Sequence, residues 1–160
     1  MAAPRNTLRR LQIFAWFIIG LGLVQTAGAV FASMSVDAAT PGVQLAVAVG
    51  VGLVGASTVA ARSRFLRRPW RFDDESTVAI DFAVRVLVQL ILALGAANVG
   101  FAGAILTGAP WMVMLGLVFF VPPVVAALPT TRNVARIQGE LDAQGSPYQL
   151  IDALRAADSV

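Results

Sequence analysis

Cysteine, histidine and lysine are all absent from this 160-residue chain, and each absence closes a class of chemistry. Without Cys there is no disulfide, no thiolate nucleophile and no cysteine metal site. Without His the commonest metal ligand, the commonest general base and the usual near-neutral proton switch are missing. Zinc, haem held by His or Cys, and a Ser-His-Asp triad are therefore excluded. No catalytic residue, metal or cofactor is expected.

Charge is scarce as well. Only 13% of the residues are charged, against about a quarter in a soluble domain. With no Lys, all twelve basic residues are Arg. Together with abundant Ala, Val and Gly, this suits a GC-rich bacterial genome. The sequence pI near 11.0 does not point to nucleic acid. The Arg residues cluster beside apolar runs, where membrane orientation and anionic lipid headgroups account for them.

What the chain has is apolar length: 58% of it is hydrophobic and its mean hydropathy is +0.76. Four apolar runs, at about 11–34, 41–61, 77–106 and 110–128, are each long enough to cross a bilayer. The expected fold is all-α, an integral membrane bundle of four transmembrane helices with a short cytoplasmic C-terminal helical hairpin. Residues 1–10 form a polar N-terminal segment, 11–128 the membrane domain and 129–160 an amphipathic tail. The first run is too long for the apolar core of a signal peptide, which spans about 7–15 residues. It reads as a retained span, with Trp16 and Phe17 as shallow anchors.

The third run organises the rest. Asp81, Arg85 and Gln89 recur every four residues and share one helix face as an intramembrane polar ladder. Ala96, Gly100 and Gly103 continue that side as a small-residue packing surface. An acid four residues before a base is the favourable order, so Asp81 and Arg85 read as a structural pair. The alternative is a gate or relay continued by Gln89.

In the second run Gly50, Gly52 and Gly55 spell G-x-G-x-x-G. The motif lies inside an apolar helix, without the preceding strand or the later acid that dinucleotide binding requires. Small residues at Ala48, Gly52, Ala56 and Ala60 repeat every four instead, and read as a helix-packing ridge.

Between the second and third runs lie Arg62, Arg64, Arg67, Arg68 and Arg71, interleaved with Phe65, Trp70 and Phe72. Arg62, Arg64, Arg67, Arg68, Trp70 and Arg71 are expected to contact lipid headgroups. Asp73, Asp74 and Glu75 then start the third helix, where its dipole favours acids. Thr107–Ala109 leaves room only for a tight turn, so the third and fourth spans are antiparallel neighbours. Pro122 and Pro123 are expected to kink or break the fourth. Thr130 or Thr131 can cap the tail's first helix, which stops at Gly145. Ser146 and Pro147 read as the start of a second. Val134, Ile137, Leu141, Leu150, Ile151 and Leu154 form its contact seam, with Ala157 on the same side.

Eleven of the twelve Arg residues fall in the N-terminal segment, the 62–75 loop and the tail. A multi-pass protein of a bacterial plasma (inner) membrane with both termini cytoplasmic is expected. The leading functional expectation is a non-enzymatic accessory or assembly subunit. Its partners would be anionic lipids and other membrane subunits, or further copies of itself. A small transporter or ion-coupled protein using the Asp81/Arg85/Gln89 face is the alternative. A lipid-modifying enzyme acting through Asp73 and Asp74 is a third, weaker expectation.

Overall fold

A computed structural model of the chain describes residues 6–156, with side chains described over 9–154. Arg5 in the expected N-terminal segment and Ala157 in the tail seam lie outside the described residues. The structure is helical throughout, in the order α1 (Asn6–Met34), α2 (Pro41–Leu66), α3 (Glu75–Thr107), α4 (Trp111–Ala127), α5 (Thr131–Ala143) and α6 (Leu150–Ala156). Three helices, α1 to α3, are long and apolar enough to cross a membrane by themselves. Helix α4 has 17 residues and reaches that length only when taken together with α5, from which it is bent by 72°.

Helix α3 is the axis of the fold. It packs against α1, α2, α4 and α6, most extensively against α4, whereas α1 and α2 hardly meet. In cross-section α3 and α4 form a central pair with α1 and α2 at the far corners. The sequence permits this closeness because the pair crosses where neither helix has a side chain. A Cβ on Gly100 would lie 2.6 Å from Gly116 Cα, and one on Gly116 would lie 3.1 Å from Ala97 O. Gly103 faces Met112, Val47 and Val51, and Ala96 is buried with it.

Helix α3 ends at Gly108, whose left-handed φ of 59° supplies the C-cap. The α1–α2 loop crosses over this point, where a Cβ would lie 2.6 Å from Val36 O. The backbone N–H of Ala39 donates to Thr107 O at 2.9 Å, fixing the loop to the turn.

Helix α2 extends to Leu66, five residues beyond the apolar run, and so carries Arg62 and Arg64 within it. Only Val51 and Gly55 are buried along it. Gly55 takes the ring of Phe119. Gly52 has no atom within 4 Å of an added Cβ, and Ala56 is exposed. Most of the small-residue ridge, Gly52, Ala56 and Ala60, therefore faces away from the internal contact, while Ala48 packs against the core.

Helix α4 runs unbroken through Pro122 and Pro123. The sharp turn comes later, at Leu128–Thr130, because the residue before Pro129 is pushed to an extended conformation (Leu128 ψ 127°). Asn133 of α5 reaches back to donate to Val125 O at 3.0 Å and Leu128 O at 2.8 Å. Thr130 caps α5 by accepting from the N–H of Asn133. Gly145, at φ 79°, ends that helix region, and the N–H of Ser146 returns to Leu141 O. Ser146 then closes only a local turn, accepting from the N–H of Tyr148 at 3.2 Å. Helix α6 begins at Leu150, whose N–H donates to Gln138 Oε1 of α5 at 2.7 Å. Val134, Leu141, Leu150 and Leu154 are buried, Ile137 is half-buried and Ile151 is exposed.

Candidate functional site

The Arg-bearing ends of α1, α2 and α3, with the end of α4, lie beside the tail helices at one end of the molecule. Arg85 is the hub there, only 6% exposed. Its Nε donates to Asp81 Oδ2 at 3.2 Å. Nη1 donates to Leu66 O at 3.1 Å, and Nη2 to Arg68 O at 2.8 Å and Pro69 O at 3.3 Å. These carbonyls are at the end of α2 and just beyond it, where the helix leaves acceptors without an internal donor. The guanidinium also lies 4.0 Å from the Trp70 ring centroid, a cation–π contact. Arg85 thus pairs with Asp81 as its spacing suggests, and with four further partners that lie 15 to 19 residues back along the chain.

Gln89 is the next rung. Its Nε2 donates to Arg85 O at 3.2 Å, and its Oε1 accepts from Arg62 Nε at 3.1 Å and Nη2 at 2.9 Å. Trp70, expected at the headgroup level, is instead buried. Its ring is drawn under Arg85, and its backbone N–H donates to Gln144 Oε1 at 3.2 Å. The rest of the expected headgroup cluster divides. Arg64 is exposed, Arg68 lies over the Phe65 ring at 5.3 Å, and Arg71 pairs with Asp73 at 3.4 Å on the surface. Arg62 and Arg67 turn toward a cavity.

That cavity, about 410 Å³ in volume, lies beneath α5, which makes its main contact with α6 and stands off the ends of α2, α3 and α4. Helix α2 and the following loop contribute Arg62, Ser63, Leu66, Arg67 and Trp70. Helix α3 contributes Phe82, Arg85, Val86 and Gln89, α4 Ala126 and Ala127, and α5 Arg136, Ile137 and Glu140. Among the described residues no carboxylate lies within 4.0 Å of Arg62, Arg67 or Arg136. Arg136 and Glu140 are four apart, but in the less favourable order for a helical pair. Arg136 of α5 and Arg62 of α2 line this same cavity. Arg136 escaped sequence reasoning because nothing in the chain signals that α5 folds back over Arg62.

The two acids at the start of α3 are engaged locally. Asp74 is the N-cap, accepting from the Thr77 N–H at 2.6 Å and the Ser76 hydroxyl at 2.8 Å. Those bonds, the Thr77 N–H first, hold its carboxyl below the usual carboxylate range. No cluster of three acids suited to a metal occurs among the described residues.

One polar residue of α3 stands apart from this network. Asn98 is exposed and makes no hydrogen bond among the described residues. It lies on the open face of α3 with Ile91, Gly95, Ala102 and Ile105, all exposed. No atom lies within 4 Å of a Cβ added to Gly95. Comparison of the chain with protein-family models, curated proteins and solved structures gives no match, so the functional reading rests on this geometry.

Proposed function

We propose that this chain is a non-enzymatic subunit of a larger complex in a bacterial plasma membrane, joined to its partner through the open face of α3. Asn98 carries the proposal. It is nine residues from the end of α3 at Thr107, about 14 Å at 1.5 Å per residue, and so near the middle of a hydrocarbon core about 30 Å thick. Moving an amide from water into a medium without hydrogen-bond partners costs roughly 4–8 kcal/mol. A polar group of a neighbouring transmembrane helix relieves that cost, and Gly95 and Ala102 on either side allow close approach. The partner is another membrane subunit or a second copy of this chain.

The test is Asn98→Leu, purified from its own membranes in mild detergent. The particle should lose its partner or halve its mass while the chain's own thermal midpoint is unchanged or rises. A wild-type chain that is monomeric and alone, or an unchanged complex in the variant, would count against the proposal. Cytoplasmic termini are part of the same reading, supported by the Arg distribution. An impermeant thiol reagent should label Ala38→Cys but not Ala143→Cys in intact cells, and the reverse result would invert the topology.

A transport path along Asp81, Arg85 and Gln89 has less support. All three are engaged in bonds at one end of the bundle, and beyond them the same side closes where Gly100 meets Gly116. An enzyme acting through Asp73 and Asp74 has less still, since one is in a surface pair and the other caps α3.

A further inference from the structure

We propose that the cavity beneath α5 binds a phosphate group between Arg62 and Arg136. Two guanidiniums lining one cavity, neither with a carboxylate within 4.0 Å among the described residues, repel, and an anion placed between them relieves that repulsion. Arg62 is already oriented for the task. Gln89 takes its Nε and one Nη2 hydrogen, and is itself fixed by Arg85 O. The remaining N–H groups of the planar fork are left to meet a phosphate, with little orientational freedom still to lose.

The surroundings suit a phosphate that carries an organic group. Val86, Ala127 and Ile137 give the cavity an apolar wall, and its volume of about 410 Å³ is in the range of small-molecule sites. Its depth suits the membrane surface. Gln89 is eighteen residues from Thr107, about 27 Å, close to the thickness of a hydrocarbon core. Trp16, exposed on α1, is the same eighteen residues from Met34. The phosphate of an anionic lipid headgroup and a free phosphate ester share this chemistry. Glu140 is the one acid lining the cavity and works against either.

The test uses the intact chain in neutral detergent. Native mass spectrometry counts bound phosphatidylglycerol, diacylglycerol serves as the phosphate-free control, and inorganic phosphate is titrated as competitor. Phosphatidylglycerol should bind in preference to diacylglycerol. Arg136→Gln should weaken it about tenfold, as loss of one charge-assisted hydrogen bond implies. Glu140→Gln should tighten it, and Arg64→Gln, exposed and outside the cavity, should leave it unchanged. Competition by millimolar phosphate would assign the site to soluble phosphate; its absence with lipid still bound would assign it to the headgroup.

Equal binding of diacylglycerol would overturn the proposal, as would wild-type affinity in both the Arg136 and Glu140 variants. So would an Arg64 effect as large as that of Arg136, or no binding of either phosphate probe. None of these outcomes depends on Asn98 or on a co-purified partner, so this site and the subunit reading fail separately.

Discussion

Replacing Arg85 with Gln tests whether the polar end of α3 is a clamp or merely an ion pair. The guanidinium holds Asp81 Oδ2 at 3.2 Å and the carbonyls of Leu66, Arg68 and Pro69 at 3.1, 2.8 and 3.3 Å. It also covers Trp70, 4.0 Å from the ring centroid. Removing it strips three carbonyls of their donor and leaves the buried indole without its cation. Hydrogen bonds to a charged group contribute about 1.5–3 kcal/mol each, but they share one side chain and do not add. Breaking a buried ionic network by deleting one member costs about 3–5 kcal/mol, and that is the loss expected here. At about 2–4 °C per kcal/mol for a chain of this size, the thermal midpoint in detergent should fall by about 6–20 °C. Asp81 is more exposed and, among the described residues, pairs only with Arg85, so Asp81→Asn should cost about 1 kcal/mol or less. An isolated pair would make the double neutral variant recover. A clamp makes the double variant as unstable as Arg85→Gln alone, because the carbonyls and Trp70 remain unmatched. Recovery of the wild-type midpoint by the double variant, followed by light scattering during a thermal ramp, would refute the clamp.

Gly100→Ala places a Cβ 2.6 Å from the Gly116 backbone and should destabilise by about 1–3 kcal/mol through overpacking. Gly52→Ala meets nothing within 4 Å and should be neutral or stabilising by up to about 1 kcal/mol from helix propensity. Thermal midpoints of the two variants in detergent decide this, and equal losses would mean that the outward ridge is in contact after all. Asp74, with its folded carboxyl lowered by the Thr77 N–H, contributes stability above the ordinary unfolded value of about 3.9. That contribution is lost as the pH falls through the lower folded value. Asp74→Ala should therefore lower the midpoint at neutral pH, with the difference closing only in acid; a difference independent of pH would argue against the capping carboxylate.

The apolar runs were legible in the sequence because a bilayer-length stretch without charge has few other uses. The Thr130 cap and the left-handed ends at Gly108 and Gly145 depend on local chemistry, so they too could be read in advance or follow from it. The active face of α2 could not. Both Gly52–Ala56 and Val51–Gly55 offer a face for close approach, and the choice depends on where Phe119 of α4 lands. The Asp81–Arg85 pair followed from spacing, while the role of Arg85 at the end of α2 did not, because its acceptors are main-chain carbonyls and carry no residue signature. Arg136 shares a cavity with Arg62 only because the chain bends by 72° after α4, and that angle has no periodicity to betray it.

The fate of each polar residue along α3 separates what the chain completes for itself from what it leaves open. Helix α3 has 33 residues, about 50 Å at 1.5 Å per residue, so several turns extend beyond a hydrocarbon core about 30 Å thick. Asp81, Arg85 and Gln89 fall near that boundary, where the end of α2 supplies carbonyls and Arg62 supplies a donor. Thr107, at the other end, bonds back to Gly103 O at 2.7 Å. Ser57 and Thr58 on α2 likewise turn to their own helix carbonyls at 2.8 and 2.7 Å. Asn98 has no such escape. Its amide has two donors and an acceptor, it points away from α4, and no polar group among the described residues bonds to it. A fold that satisfies polar groups at both ends of its longest helix and leaves one exposed at the middle places the unmet requirement on that open face. That is why Asn98, rather than the more conspicuous charges of the ladder, is the residue on which the subunit reading stands.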